Sequence, residues 1–342
     1  MHTPTGKAYK ASNRRSFFTN ASALGAASLL GMHRAAAAEP PPETRKIRLI
    51  DAPVTCLAPQ YLADELLRAE GFTEVEYVNL EKGTGPGALA EGRADMTQWD
   101  VLSCYLPLDE GKPLTVLGGI HAGCWELFGN ERIQTIRDLK GKTIAIQGFG
   151  SGDHVYLSSM LAYVGLMPQR DVIWIEGSTM SDAMGLFVNG KADAILGFAP
   201  QPQELRAKKI GHVIVDTGQD RPWSQYFCCM VTARRDFVRE HPIATKRALR
   251  AFLKAADICA QEPERVARFL VAKGFGPRYE VGLEVLKALP YNRWRQANPE
   301  DTLRFHGLRL HEVGMIKNNP NKLIAQGSDW RFLNELKREL KA

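Results

Sequence analysis

The sequence predicts an α/β fold of two similar lobes, each a mostly parallel sheet flanked by helices, with a helical region towards the C-terminal end. Three observations carry this. A strand–helix–strand–helix unit closing in Gly-x-Ala-Asp occurs twice, with Gly92 and Asp95 matched by Gly190 and Asp193 at an offset of 98. Apolar strands alternate with helices through both units, which is the pattern of parallel βαβ folding. Beyond Phe237 the period changes from strand-like to helical. A chain of 342 residues with 44% hydrophobic and 24% charged content is long enough for two such lobes and too apolar for disorder.

Residues 1–38 read as an export signal. They carry Lys7, Lys10, Arg14, Arg15 and Arg34 and no acid, then an apolar run from Ala21 to Met32 and an alanine tract ending at Ala38. Arg14-Arg15 followed by Ser16-Phe17-Phe18 resembles the twin-arginine signal. The apolar run is about half the ~20 residues a membrane span needs, so an anchor is the weaker reading. The formal charge of +6 is concentrated here, leaving 39 cationic against 38 acidic residues in the remainder. Nucleic-acid binding is therefore disfavoured. The mature chain is expected to be soluble and periplasmic.

The first unit opens on an apolar strand, KIRLIDA (46–52), followed by a helix over Tyr61–Phe72 that closes in Gly-Phe. A second strand, VEYVNL (75–80), leads to ALAEGRADMTQW (88–99). An apolar strand then ends in Gly118 to Trp125. The second unit repeats this order: KTIAIQG (142–148), a helix over Val155–Leu166, VIWIEGS (172–178) and LFVNGKADAILGF (186–198). Glycine after the last helical turn supplies the left-handed cap. Helical patterns follow at 241–260, 263–275, 299–316 and 329–340, with Pro242, Pro263 and Pro299 near their starts. These helices are expected to pack on the first lobe.

In open parallel sheets, ligands sit beyond the carboxyl ends of the strands, so two such lobes facing each other make a cleft. Gly148-Phe149-Gly150-Ser151-Gly152-Asp153-His154 lies there between a strand and a helix. Its glycine spacing is not that of a dinucleotide loop. It still offers free N–H groups at a helix N-terminus. Plain capping by Ser151 or Asp153 is the alternative, and Asp153 weighs against a purely anionic ligand. Thr55 and Cys56 occupy the matching loop of the first unit. Gln98 and Trp99, with Phe198 and Gln201, end the two Gly-x-Ala-Asp strands, as candidate polar hooks and stacking walls. His121 ends another strand and is a further candidate. Asp95 and Asp193 are expected to hydrogen-bond local backbone instead.

The ordered set ALAEGRAD (88–95), DLKGKTIAIQGFGSGDH (138–154), LFVNGKADAILGFAPQP (186–202) and FVREHPIATKRALRAFLKA (237–255) resembles the periplasmic solute-binding proteins of ABC importers. The resemblance is to the nitrate/sulfonate/taurine branch, which includes receptors for thiamine-pyrimidine precursors. It implies a type II periplasmic-binding-protein fold, with 46–132 plus 226–342 as one lobe and 133–225 as the other. It implies that the Gly148–His154 turn holds the anionic head of a solute: Ser151 donates its hydroxyl, Gly152 admits the backbone, and His154 faces the cleft. The expected partners are a small solute and the permease's membrane subunits, with the receptor itself a monomer and without cofactor.

All six cysteines lie beyond the signal, and no Cys or His spacing reads as a metal site, so buried thiols are expected. The leading function is thus non-catalytic capture of a small organic or oxyanion solute, sulfonate-, nitrate- or taurine-like. A heteroaromatic solute such as a pyrimidine is the alternative. An enzyme on the same scaffold is a third, with Cys56, Cys124, His121 and His154 as its only candidate nucleophiles and bases. No nucleophile motif supports the enzyme.

Overall fold

A computed structural model describes residues 39–80, 83–276 and 278–341. The expected export signal, residues 1–38, lies outside the described residues. Pro41–Ala342 forms one compact unit built on two five-stranded sheets. The first sheet takes β1 (Lys46–Asp51), β2 (Glu74–Asn79), β3 (Met96–Asp100), β4 (Leu114–Ala122) and β10 (Phe227–Arg234), in the order β2-β1-β3-β10-β4. The second takes β5 (Trp125–Gly129), β6 (Thr143–Ile146), β7 (Ile173–Glu176), β8 (Ala194–Phe198) and β9 (His212–Asp216), in the order β7-β6-β8-β5-β9.

The two orders are the same pattern, as the sequence repeat requires. β1 runs parallel to β2 and β3, and β6 runs parallel to β7 and β8. Each sheet then holds one antiparallel strand, β10 in the first and β5 in the second. These are the two strands that cross between the halves. Trp125–Gly129, which the sequence division places with residues 46–132, hydrogen-bonds into the second sheet. The chain therefore crosses at Gly123-Cys124, ahead of residue 133. An apolar strand can serve either sheet, and only the pairing decides.

The repeated Gly-x-Ala-Asp has one structural task in both halves. Gly92 and Gly190 take left-handed φ of 74° and 69° just beyond helices Gly85–Ala90 and Met180–Val188. Asp95 then accepts the Arg48 backbone N–H at 2.9 Å, and Asp193 accepts that of Thr143 at 3.0 Å. Each aspartate so ties the first strand of its unit to the third. Asp95 is buried and also pairs with the guanidinium groups of Arg48 and Arg234 at 2.7 and 3.2 Å.

Helix Pro242–Gln261 packs on helix Ala58–Ala69 and on the first sheet, burying Ala248, Leu249, Phe252 and Ala256, with Leu249 over Gly118 of β4. Glu70 anchors that contact through Arg250 at 2.7 Å and Lys254 at 3.3 Å. Helix Pro299–Glu312 departs from the expectation that every late helix packs on the first lobe. It lies against helix Gly152–Tyr163 of the second half, with Ser159 Oγ and His306 Nδ1 at 2.9 Å. Tyr156, Trp223, Tyr226 and Phe305 surround that histidine. An amphipathic pattern shows which face is buried but not which partner buries it.

Candidate functional site

The carboxyl ends of β1, β3, β6 and β8 open onto one cavity of about 900 Å³ between the two sheets. Its walls are aromatic. Trp125 and Phe198 meet edge to face at 4.9 Å, and Trp99 stands opposite on the end of β3. Gly85 is needed beneath Trp99, because a Cβ there would lie 2.6 Å from the indole ring. Of the ten residues singled out from the sequence, Cys56, Trp99, Ser151, Gly152 and Phe198 line this cavity.

The other five lie behind the lining, for identifiable reasons. Gln98 alternates away from Trp99 along β3, and its amide donates to the Cys56 carbonyl at 2.9 Å. His121 is fully buried, with Nε2 3.1 Å from the same carbonyl and Nδ1 3.1 Å from that of Gly123. Both ring nitrogens thus face acceptors, which a singly protonated ring cannot satisfy. Burial works against a charge on the ring, but the neighbouring sulfurs of Cys229 and Cys56 together outweigh it and His121 is raised to about 10. Thr55 is buried under Tyr291. Gln201 begins a helix behind β8 and is buried.

His154 is corrected most sharply. Its ring is wedged between Phe149 and Trp174, 5.0 Å from each, and Nδ1 accepts the Gly150 N–H at 3.0 Å. Burial lowers it to about 4, so it is neutral near pH 7 and holds the shape of the loop. Asp153 is turned back to the loop rather than onto the helix donors. It accepts the Gln147 N–H at 2.8 Å and the Ser151 hydroxyl. Ser151 therefore spends its hydrogen on Asp153 and the Gly148 carbonyl, and makes no side-chain cap on the helix it precedes.

Facing that helix start, from the other half, is Asp100, which ends β3 and accepts the Ser103 N–H at 3.0 Å and its hydroxyl at 2.8 Å. Gly152 is glycine because of it: a Cβ there would sit 2.7 Å from Asp100 Oδ1. Burial, only partly offset by the two Ser103 bonds, raises the Asp100 carboxyl to about 6. Glu91 and Glu110 also line the cavity, whereas among the described residues no Arg, Lys or His does. Cys124, Trp125 and Cys229 complete the floor and were not singled out as ligand contacts. Cys124 and Cys229 sit on the crossing segments, so only the strand exchange brings them to the cleft.

Two like sheets, a cleft at their strand ends and a helix N-terminus aimed across it define a two-lobed solute-binding architecture. The NMT1/THI5-like family profile matches residues 61–266, and the chain belongs to that family. No curated protein sequence matches it. Its fold is shared with the periplasmic nitrate-binding protein NrtA from Synechocystis PCC 6803, at TM-score 0.71 and 16% identity over 88% of this chain and 90% of that one. The periplasmic aliphatic sulphonate binding protein SsuA from Escherichia coli aligns at TM-score 0.65 and 21% identity, over 83% and 91%. The desulfurization enzyme DSZB has the same fold, at TM-score 0.59 and 15% identity over 86% and 99%. At these identities the likeness is one of fold.

Proposed function

We propose that this protein is the periplasmic substrate-binding component of an ABC importer. It captures a small organic or oxyanion solute between its lobes and delivers it to membrane permease subunits, without catalysis. The observation that carries this reading is the cleft at the carboxyl ends of both sheets, with aromatic walls and one helix N-terminus directed into it. The lobes are the two sheets with their helices, and they close by bending at Gly123-Cys124 and at the return before Phe227. The chain acts as a monomer exported through a twin-arginine-type signal in residues 1–38. No helix among the described residues is long and apolar enough to cross a membrane.

The names of NrtA and SsuA support a nitrate- or sulfonate-like solute, and taurine, an aminosulfonate, is included in this reading by its chemistry. The lining favours a second reading. Glu91, Asp100 and Glu110 supply negative charge with no described cation to answer an anion, while Trp99, Trp125 and Phe198 offer ring-sized apolar walls. A neutral or cationic heteroaromatic solute, such as a pyrimidine, suits that chemistry.

A thermal-shift screen of the mature protein against nitrate, alkanesulfonates, taurine, pyrimidines and flavins separates the two. A binder should raise the melting temperature and remain chemically unchanged on overnight incubation. Turnover of any hit would overturn the receptor reading in favour of an enzyme, and flat responses to every anion would remove the oxyanion one.

A further inference from the structure

Three thiols that solute capture does not require converge on the cavity floor. Cys56 lies on the turn after β1, Cys124 at the crossing from β4 to β5, and Cys229 on β10. Their sulfurs all lie within 4.8 Å of one another and all three residues line the cavity. None is in a disulfide. No sequence spacing could reveal the trio, because three separate chain segments contribute it. A fourth thiol, Cys228, has its sulfur 4.0 Å from that of Cys229, but it neither lines the cavity nor belongs to the mutually close trio.

The surroundings hold the trio rigidly. The Cys56 carbonyl accepts from Gln98 Nε2 at 2.9 Å, His121 Nε2 at 3.1 Å and the Tyr291 hydroxyl at 3.4 Å. Cys124 sits at φ 150°, a conformation that side-chain-bearing residues rarely adopt, directly after Gly123, where a Cβ would be 2.4 Å from Gly218. Backbone strain of this kind collects at functional sites. β10 breaks register at Cys229, and such a bulge re-aims side chains.

Three thiolates around a metal at Zn–S distances near 2.3 Å place their sulfurs about 4 Å apart. The observed cluster needs only a small contraction to reach that. A sulfur-only donor set selects soft, thiophilic ions over magnesium or calcium. Three protein ligands also leave a tetrahedral ion one open position, as metal sites that bind an exogenous ligand do. Here that position faces the cavity.

We propose that Cys56, Cys124 and Cys229 bind one thiophilic d¹⁰ cation, Zn(II) or Cu(I), with its remaining coordination position turned to the cleft. Each thiol releases its proton to solvent as its metal–sulfur bond forms, and nothing is oxidised or reduced. Gln98 and His121 act as positioning residues through the Cys56 carbonyl. The site does not depend on which solute the cleft takes.

The test uses the reduced, metal-free mature protein, titrated separately with Zn(II), with Cu(I) kept reduced under inert gas, and with Co(II) as a coloured reporter. Expected is saturation at one equivalent by Zn(II) or Cu(I), a thiolate-to-Co(II) charge-transfer band, and protection of Cys56, Cys124 and Cys229 from alkylation, mapped by mass spectrometry. C56S, C124S and C229S should each weaken binding more than about 100-fold, and H121Q about tenfold. C104S and C259S should leave it unchanged. The alkylation map on the wild-type chain stands even if a variant fails to fold. No saturable binding, unprotected thiols, or equal losses in C259S would overturn the site. Metal binding with no solute response would count only against solute capture, and the converse only against the metal site.

Discussion

Asp100→Asn should change how stability depends on pH, and not merely its level. Burial raises this carboxyl from an ordinary 3.8 to about 6. The folded state therefore holds the proton more tightly than the unfolded chain does. The contribution is full below about pH 3.8 and is lost as pH rises through about 6. Between pH 4.5 and 7.5 the loss amounts to about 2 kcal/mol, since each tenfold difference in proton affinity between folded and unfolded chains is worth roughly 1.4 kcal/mol. Asparagine takes up no proton in this range and contributes nothing of the kind. Urea unfolding of both proteins at several pH values gives the difference directly, and groups common to the two cancel. D100N should thus gain about 2 kcal/mol on the wild type from pH 4.5 to 7.5. Its Oδ1 can still accept the Ser103 N–H and its Nδ2 can donate to the Ser103 hydroxyl, and the exchange of charged for neutral bonds sets the constant offset between the curves. A gap that stays level with pH would refute the account of a buried, reluctantly ionised carboxylate facing the helix start.

Gly152→Ala should push Asp100 off Ser103 and cost about 1–3 kcal/mol, and the cycle with D100A should show strong coupling; additive losses in urea unfolding would sink it. D193A should cost about 1–3 kcal/mol by stranding the Thr143 N–H and the Asn130 amide, with D95A costing more because Arg48 loses its charged partner and Arg234 keeps only Asp236; equal effects, read from denaturant midpoints, would contradict the pairing. Burial, helped by Arg309, lowers His306 to about 3 from 6.5, so its contribution is present above pH 6.5 and lost as pH falls towards 3. H306Q should accordingly remove about 3 kcal/mol of the acid destabilisation between pH 7 and 4, measured by unfolding at both values.

The duplication made much of the fold legible. The matched Gly92–Asp95 and Gly190–Asp193 segments gave both units, and their aspartates play the same backbone-tying part in each sheet. The first crossing was not legible, because β5 carries no mark of the sheet it joins, whereas the return of β10 to the first sheet agrees with the division at residue 226 that the family resemblance implied. The site followed the same division. Trp99, Ser151, Gly152 and Phe198 were found because a strand end or helix start can be read locally. His154 was misplaced because only packing by Phe149 and Trp174 turns its ring from the cleft. Cys124 and Cys229 were missed as cleft residues because each depends on the partner strand at a crossing point, and Asp100 because its role lies in Gly152 of the opposite half.

The crossing strands also set an order of assembly. β10 stands between β3 and β4 and supplies the pairing for both, yet it lies beyond every strand of the second sheet in the chain. During synthesis the second sheet has all its strands once residue 216 has emerged, while the first still has a gap in its middle. The half that begins first is therefore finished last. A chain stopped shortly after residue 220 should carry a formed second sheet beside an incomplete first one, and extension past Arg234 should close it, which limited proteolysis of the two truncations would reveal.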